Sequence, residues 1–177
     1  IMIDLETLGT SVDSVILSIG AVAFNDQGIK GVFERYVDID SQPSRVVSHD
    51  TFKWWFEQSE EARKALTEGM SRSIDLELVL MNFTSFIVSN ASENVKVWGN
   101  GSDFDNAIWS HAYRSCGMSQ PWKYHNNRCY RTVKSMFPDV KFERKGTHHR
   151  AVDDAESQAL HLIKIAEVHN AVGILGV

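Results

Sequence analysis

Two acidic residues near the start of the chain, Asp4 and Glu6, are separated by a single position in the segment IMIDLET. Side chains of a β-strand point alternately to its two faces, so a strand here places both carboxylates on one face. The apolar residues Ile1, Ile3 and Leu5 around them predict a buried strand. Unpaired negative charge is costly there unless a cation or a basic group compensates for it. The pattern indicates a bound metal ion, and a solvated strand end is the alternative.

Acidic residues recur at two later places where a helix is predicted to begin. Asp103 and Asp105 follow a short apolar segment and the glycine-rich loop GNGS, and loops at strand ends are where sites in such sheets gather. Asp153 and Asp154 come shortly after His149, in the first turn of a predicted helix, where capping alone also favours a carboxylate. Together with the first pair, these residues predict one site assembled from three distant segments.

Three short motifs give the chain a specific resemblance to a known family. DLET near the start, NGSDFD in the middle and HRAVDDA near the end resemble the three motifs of the DEDDh exonuclease family, in the same order. The position of the tryptophan-bearing helix after the third strand is most similar to that in a phage and bacterial branch of the family. The resemblance covers nearly the whole chain. It implies four metal-binding carboxylates and a histidine that acts as general base, at Asp4, Glu6, Asp105, Asp154 and His149.

The family pattern also selects between neighbouring candidates. Its middle aspartate directly follows a phenylalanine, which selects Asp105 rather than Asp103. Its last aspartate stands five residues after the histidine, which selects His149 together with Asp154 rather than the pair one position earlier.

The resemblance implies a metal-dependent 3′–5′ exonuclease that releases nucleoside monophosphates from the 3′ end of single-stranded DNA or RNA. Two cations about 3.5–4 Å apart stabilise charge on the entering and leaving oxygens of a phosphodiester. Carboxylate oxygens suit Mg²⁺ or Mn²⁺ as these two cofactors. An imidazole with an ordinary pKa of about 6.5 can take a proton from the attacking water. No residue is assigned to a 2′-hydroxyl contact, so DNA and RNA stay open as substrates.

Residues outside the acidic set are candidates for holding the nucleic acid. The resemblance places the grip on the terminal nucleotide just after Glu6, with Leu8 as an apolar wedge against its base. Phe104 could stack on a base, although a core role is the alternative. From Lys123 to Arg150 there are eight basic and two acidic residues, in a chain of net charge −5, so this segment is either a track for phosphates or a solvated face. The substrate-binding candidates are Thr7, Leu8, Phe104, Arg128 and Arg131.

Three β-rich stretches open the chain and predict adjacent antiparallel strands. The second, from about Val15 to Phe24, is almost continuously apolar, as in a strand covered on both faces. A short fourth strand is predicted at 95–98, before the glycine-rich loop. Alternation of helix and strand beyond it predicts an α/β fold with a mixed sheet and helices on both faces. The family resemblance implies that this is a ribonuclease H-like five-stranded sheet, with three antiparallel strands followed by parallel strands.

Four helices are predicted to connect and cover these strands. The first begins at Ser48 or Asp50, extends to about residue 66, and carries Trp54 and Trp55, of which we expect one to be exposed or at an interface. The others are predicted at about 74–89, 104–116 and 151–169, the last with one continuous apolar stripe.

Length and composition, with 43% hydrophobic and 23% charged residues, predict a single domain over residues 1–177, which the resemblance implies is an exonuclease domain. No apolar run approaches the roughly 20 residues that span a bilayer and no signal peptide is apparent, so we expect a cytoplasmic protein, bacterial or in the host if phage-encoded. Cys116 and Cys129 lack disulfide or zinc spacing and are expected to be reduced, buried thiols. A homodimer is expected only by analogy with similar exonucleases.

Two other functions compete with the exonuclease. A catalytically idle nucleic-acid-binding module would lack an acid or the histidine in its motifs, and none is missing here. A phosphohydrolase acting on small nucleotides would use the same metal chemistry but would not shorten an oligomer step by step.

Overall fold

A five-stranded sheet forms the centre of the structure, a computed structural model that describes residues 1–176. The strands are β1 (Met2–Thr7), β2 (Ile16–Asn25), β3 (Gly28–Tyr36), β4 (Val97–Gly99) and β5 (Asn127–Cys129). Their order is β3-β2-β1-β4-β5. Strand β2 is antiparallel to both β1 and β3, while β4 and β5 run parallel to β1. The predicted mixed sheet is confirmed.

The alternation of side chains along β1 places core residues on one face of the sheet and the first acidic pair on the other. Ile3 and Leu5 are buried in a core that also contains residues of the helices α3 (Leu76–Asn90) and α4 (Asp105–Ser115). Met2 lies on the opposite face, in a core shared with α6 (Ala151–Val168). Asp4 and Glu6 continue this second face, because they follow Met2 at steps of two. Helices therefore cover both faces, and the first acidic pair faces α6.

The remaining helices are short and lie around the sheet. They are α1 (His49–Phe56), α2 (Glu60–Met70) and α5 (Tyr130–Met136). Ser48, rather than Asp50, caps α1, since its hydroxyl accepts from the Thr51 amide over 3.4 Å. Among the described residues, no helix is long and apolar enough to cross a membrane.

The prediction of one helix from about residue 48 to 66 is wrong. The chain leaves α1 after Phe56 and starts α2 at Glu60. Ser59 has extended backbone geometry, and its hydroxyl accepts from the Ala62 amide over 3.2 Å, so it caps a new helix. The other three predicted helices are confirmed with small shifts at their ends.

Both cysteines are free, as expected, but neither is buried. Cys116 and Cys129 are each partly accessible to solvent. Each lies at the end of its element, directly after α4 and at the last position of β5, where packing is incomplete. The expectation of buried thiols is therefore wrong.

Gly20 lets α6 approach the strand that neighbours the acidic pair. It is the partner of Asp4 in the β1–β2 ladder, so both positions face the same side of the sheet. A methyl group at Gly20 would overlap the backbone of Ala151 and Val152 in the first turn of α6. The absent side chain therefore sets how closely the beginning of α6 approaches Asp4.

We predict that Gly20→Ala lowers the free energy of unfolding by about 1–3 kcal/mol, because helix backbone cannot yield to the added methyl group as a side chain would. Gly173→Ala is the matched control, since a Cβ at Gly173 meets nothing within 4 Å. Urea denaturation measures both variants. Equal stability of the two would contradict the close contact between Gly20 and α6.

Candidate active site

A cavity of about 480 Å³ opens where β1 and β4 end and α4 and α6 begin. Its lining combines carboxylates, bases and aromatic rings from separate segments of the chain. The residues that line it are Asp4, Leu5, Glu6, Thr7, Gly9, Thr10, Asp50, Thr51, Trp54, Asn100, Phe104, Asp105, Arg131, Arg144, His148, His149, Asp154 and Gln158. All five residues predicted as metal ligands or general base are among them.

Three of the predicted ligands meet closely. Asp4 and Glu6 on β1 and Asp154 in the first turn of α6 each offer a carboxylate oxygen, and these oxygens lie within 4.8 Å of one another. Glu6 and Asp154 are each only 6% exposed. Their donor set consists of hard oxygens, which fits Mg²⁺ or Mn²⁺. His148, His149 and Asp154 form a second, overlapping group of possible ligands with two imidazoles.

Asp105 stands beside this trio and is held by backbone amides. Its carboxylate accepts from the amide of Leu5 over 3.1 Å and from that of Asn100 over 2.8 Å. These bonds tie the start of α4 to β1 and to the glycine-rich loop after β4. Asp103 is exposed and lies outside the cavity lining. The structure therefore brings Asp105, and not Asp103, to the other acids.

Burial of Asp4, Glu6 and Asp105, with added repulsion at the first two, raises their pKa in the metal-free protein. Burial, and then the charges of Asp105 and Glu6, raise the pKa of Asp4 well above its usual range. Burial, and then the charge of Asp105, raise the pKa of Glu6 to about 8. Burial raises the pKa of Asp105 to about 7, although the amides of Leu5 and Asn100 oppose this. The positively charged side chains around the cluster do not neutralise its four carboxylates, as expected of a site that binds cations.

His149 occupies a constrained position just before α6. Its φ of 63° is left-handed, and its backbone amide donates to Asp154 Oδ2 over 2.9 Å. Its ring stacks on His148 at 3.7 Å between centroids and meets the ring of Trp54 edge-on at 4.8 Å. Burial, then the charges of His148 and Arg144, lower the pKa of His149 to about 4. The imidazole is therefore neutral at physiological pH and can accept a proton.

An ion pair anchors the loop behind His149. Arg150 Nε and Nη2 donate to the two carboxylate oxygens of Glu34 on β3, each over 2.9 Å. The amide of Thr147 donates to Asp153 Oδ2 over 2.8 Å. Asp153 therefore shapes the loop, whereas its neighbour Asp154 faces the acids.

The basic residues divide into those in the cavity and those outside it. Arg144 pairs with Asp154. Arg131 Nη2 donates to the carbonyl of Asn100 over 2.6 Å and lines the cavity. Arg128, predicted to contact phosphate, instead donates to the carbonyls of His125 and Asn127 and does not line the cavity.

Of the residues predicted to hold the terminal nucleotide, some line the cavity and one does not. Thr7 lines the cavity, and its carbonyl accepts from Trp55 Nε1 over 3.0 Å, so α1 braces the end of β1. Phe104 lines the cavity as well, while Leu8 does not. Of the two adjacent tryptophans, Trp55 is buried at 6% exposure and Trp54 is 37% exposed at the cavity wall.

Sequence reasoning missed two residues that touch the acids. Gln158 Nε2 donates to Asp4 Oδ1 over 2.8 Å. A signal was available, because Gln158 follows Asp154 by four positions and so shares its helix face. For Arg144 the only sequence signal was its place in the basic segment, and that place does not predict which acid it pairs with.

Comparison with known proteins supplies the family. The model of the 3′–5′ exoribonuclease Rv2179c-like domain matches residues 1–166. The chain belongs to this family. The Rv2179c-like chain is therefore a 3′–5′ exonuclease, as the three motifs predicted. No curated protein matches it.

Solved structures share the fold of this Rv2179c-like exonuclease at low sequence identity. The nuclease domain of 3′hExo, a DEDDh family member bound to rAMP, has a TM-score of 0.67 at 12% identity, covering 96% of this chain and 92% of that one. Pop2p of S. pombe, bound to Mg²⁺ and Mn²⁺, has a TM-score of 0.63 at 12% identity, with coverage of 98% and 85%. Exonuclease X, in complex with duplex DNA with a 5′ overhang, has a TM-score of 0.57 at 16% identity, with coverage of 96% and 93%. The ribonuclease H-like fold is confirmed.

We predict that the free energy of unfolding, measured in chelator, falls as the pH rises from about 5 to 8. Glu6 keeps its proton to about pH 8 when folded but loses it near its ordinary pKa of 4.5 when unfolded, so the folded state binds more protons in this window. Glu6→Gln removes this contribution, so its stability should fall less steeply over the same range. Urea denaturation at several pH values measures both proteins. Identical slopes would show that folding does not raise the pKa of Glu6.

Proposed function

We propose that this exonuclease removes nucleotides from the 3′ end of single-stranded RNA with two Mg²⁺ or Mn²⁺ ions held by Asp4, Glu6, Asp105 and Asp154. The observation that carries the proposal is the convergence of these four carboxylates and His149 on one cavity. When bound, the two cations polarise the scissile phosphate and stabilise the charge that develops on the entering and leaving oxygens.

His149 is the proposed general base. Its imidazole is unprotonated at physiological pH, although burial and the charges of His148 and Arg144 lower its pKa to about 4 and so weaken it as a base. A neutral ring nitrogen accepts the proton of the attacking water. Its backbone amide donates to Asp154 Oδ2, which places residue 149 next to one proposed ligand. The ring of Trp54 packs edge-on against the imidazole and restricts its movement.

RNA is the proposed substrate, because the family matched over residues 1–166 is described as exoribonuclease. A cavity of about 480 Å³ has the size of a small-molecule site and suits one terminal nucleotide. Thr7, Phe104 and Arg131 are the proposed contacts to that nucleotide and its phosphate. Leu8 and Arg128 lie outside the cavity lining and are not among these proposed contacts.

The alternatives make different use of the same cavity. A phosphohydrolase for small nucleotides would act on free nucleotides and leave an oligomer intact. A binding module would hold RNA without turnover. Homodimer formation and a cytoplasmic location stay predictions.

The first test compares 5′-labelled single-stranded RNA and DNA of equal sequence in Mg²⁺, Mn²⁺ or chelator. We expect a ladder that shortens from the 3′ end, with RNA cut faster than DNA. No cleavage is expected in chelator or with Asp154→Asn, which keeps the shape of the side chain but removes its charge. Cleavage in chelator would refute the metal chemistry, and equal rates on both polymers would refute the preference for RNA.

We predict that His149→Ala lowers kcat by about 10²–10⁴-fold, the usual contribution of a general base. Its matched control is His125→Ala, because His125 is exposed and lies outside the cavity. Single-turnover rates on labelled RNA measure the effect. Wild-type rates in His149→Ala would remove this residue from the chemistry.

A further inference from the structure

Gln158 is nearly buried yet polar, and only half of its side-chain amide is satisfied. It is 5% exposed, and Nε2 donates to Asp4 Oδ1 over 2.8 Å. Among the described residues, Oε1 has no hydrogen-bond partner. Burying an unpaired amide oxygen costs free energy that a similarly shaped methionine would avoid. Core packing alone therefore does not explain a glutamine here.

The position of Gln158 connects it to the proposed metal site. It stands one helical turn after Asp154 on α6, so both side chains project from the same helix face toward β1. Both line the cavity. Among the described residues, Gln158 is the one side chain that hydrogen-bonds to the carboxylate of Asp4.

The chemistry of the amide suits this place better than a charged donor does. A lysine or arginine at position 158 would neutralise Asp4 and compete with a cation for it. An amide donates one hydrogen bond and leaves the negative charge in place. Because Nε2 engages only Oδ1, Asp4 Oδ2 stays available as a ligand. The carboxylate acceptor also fixes the amide orientation, which leaves Oε1 able to accept from water on a bound cation.

We propose that Gln158 is a positioning residue for the metal site: it holds the carboxylate of Asp4 in the orientation that binds cations. This inference rests on the proposed function, since it concerns the same carboxylates. Groups that orient a metal ligand through a hydrogen bond are worth about 10–100-fold in metal affinity or activity.

The experiment titrates Mn²⁺ into the RNA-free protein and follows free Mn²⁺ by electron paramagnetic resonance. Gln158→Met keeps the length of the side chain but removes its donor and acceptor. We expect its dissociation constant for Mn²⁺ to rise at least about 10-fold. Gln158→Asn retains an amide that is too short to reach Asp4, and we expect a similar loss. If one variant does not fold, the other provides the measurement.

Gln42→Met is the matched structural control. Gln42 is 3% exposed, and its amide bonds to the backbone nitrogen and oxygen of Ile16, away from the cavity. This change should lower thermal stability and leave Mn²⁺ affinity unchanged. Activity on RNA adds a second readout: excess Mg²⁺ should restore kcat in Gln158→Met, with the KM for RNA unaltered.

The outcomes separate this inference from the proposed function. Asp4→Ala should abolish Mn²⁺ binding at the site. If the wild-type protein binds Mn²⁺, Asp4→Ala does not, and Gln158→Met binds within twofold of wild type, the positioning role is refuted while the metal site stands. If the wild-type protein binds no Mn²⁺, both proposals fail.

Discussion

Four carboxylates at one end of the sheet repel one another, and the rest of the fold holds them together. At an effective dielectric constant of about 20, two like charges about 4 Å apart repel by about 4 kcal/mol. Burial raises the pKa of Asp4, Glu6 and Asp105, and repulsion by neighbouring acids adds to the shift at Asp4 and Glu6. Divalent cations bound between the carboxylates offset this repulsion.

The hydrogen bonds around the acids are arranged to preserve their charge. Asp105 accepts from two backbone amides, and Asp154 accepts from the amide of His149. Asp4 accepts from the neutral amide of Gln158. These donors orient three carboxylates without cancelling their negative charge. Arg144, which pairs with Asp154, is the cationic exception.

Short-range pattern and motif order allowed much of this arrangement to be predicted. Alternation along β1 was enough to place Asp4 and Glu6 on one face, and the motif spacing was enough to favour Asp105 over Asp103. The location of β5 was not predicted, because its three residues, Asn127–Cys129, show no apolar alternation and pair only through their backbone. The break between α1 and α2 was also missed, since a polar stretch within an amphipathic pattern does not show whether Ser59 caps a helix or continues one.

Side-chain partners were harder to foresee than elements, because they depend on distances between segments far apart in the chain. Gln158 and Asp4 are separated by 154 positions. Arg128 and Arg131 share a basic segment, yet one bonds to nearby carbonyls and the other reaches the cavity. Charge counting along the sequence does not distinguish these outcomes.

The contact at Gly20 gives the site an unusual mechanical property. Strand and helix meet there backbone to backbone, without an intervening side chain that could change rotamer. The distance between Asp4 on β1 and Asp154 on α6 is therefore limited by van der Waals contact between the backbones of β2 and α6. Any widening of the distance between Asp4 and Asp154 would therefore require the start of α6 to move away from the sheet as a unit, because no side chain between them can adjust.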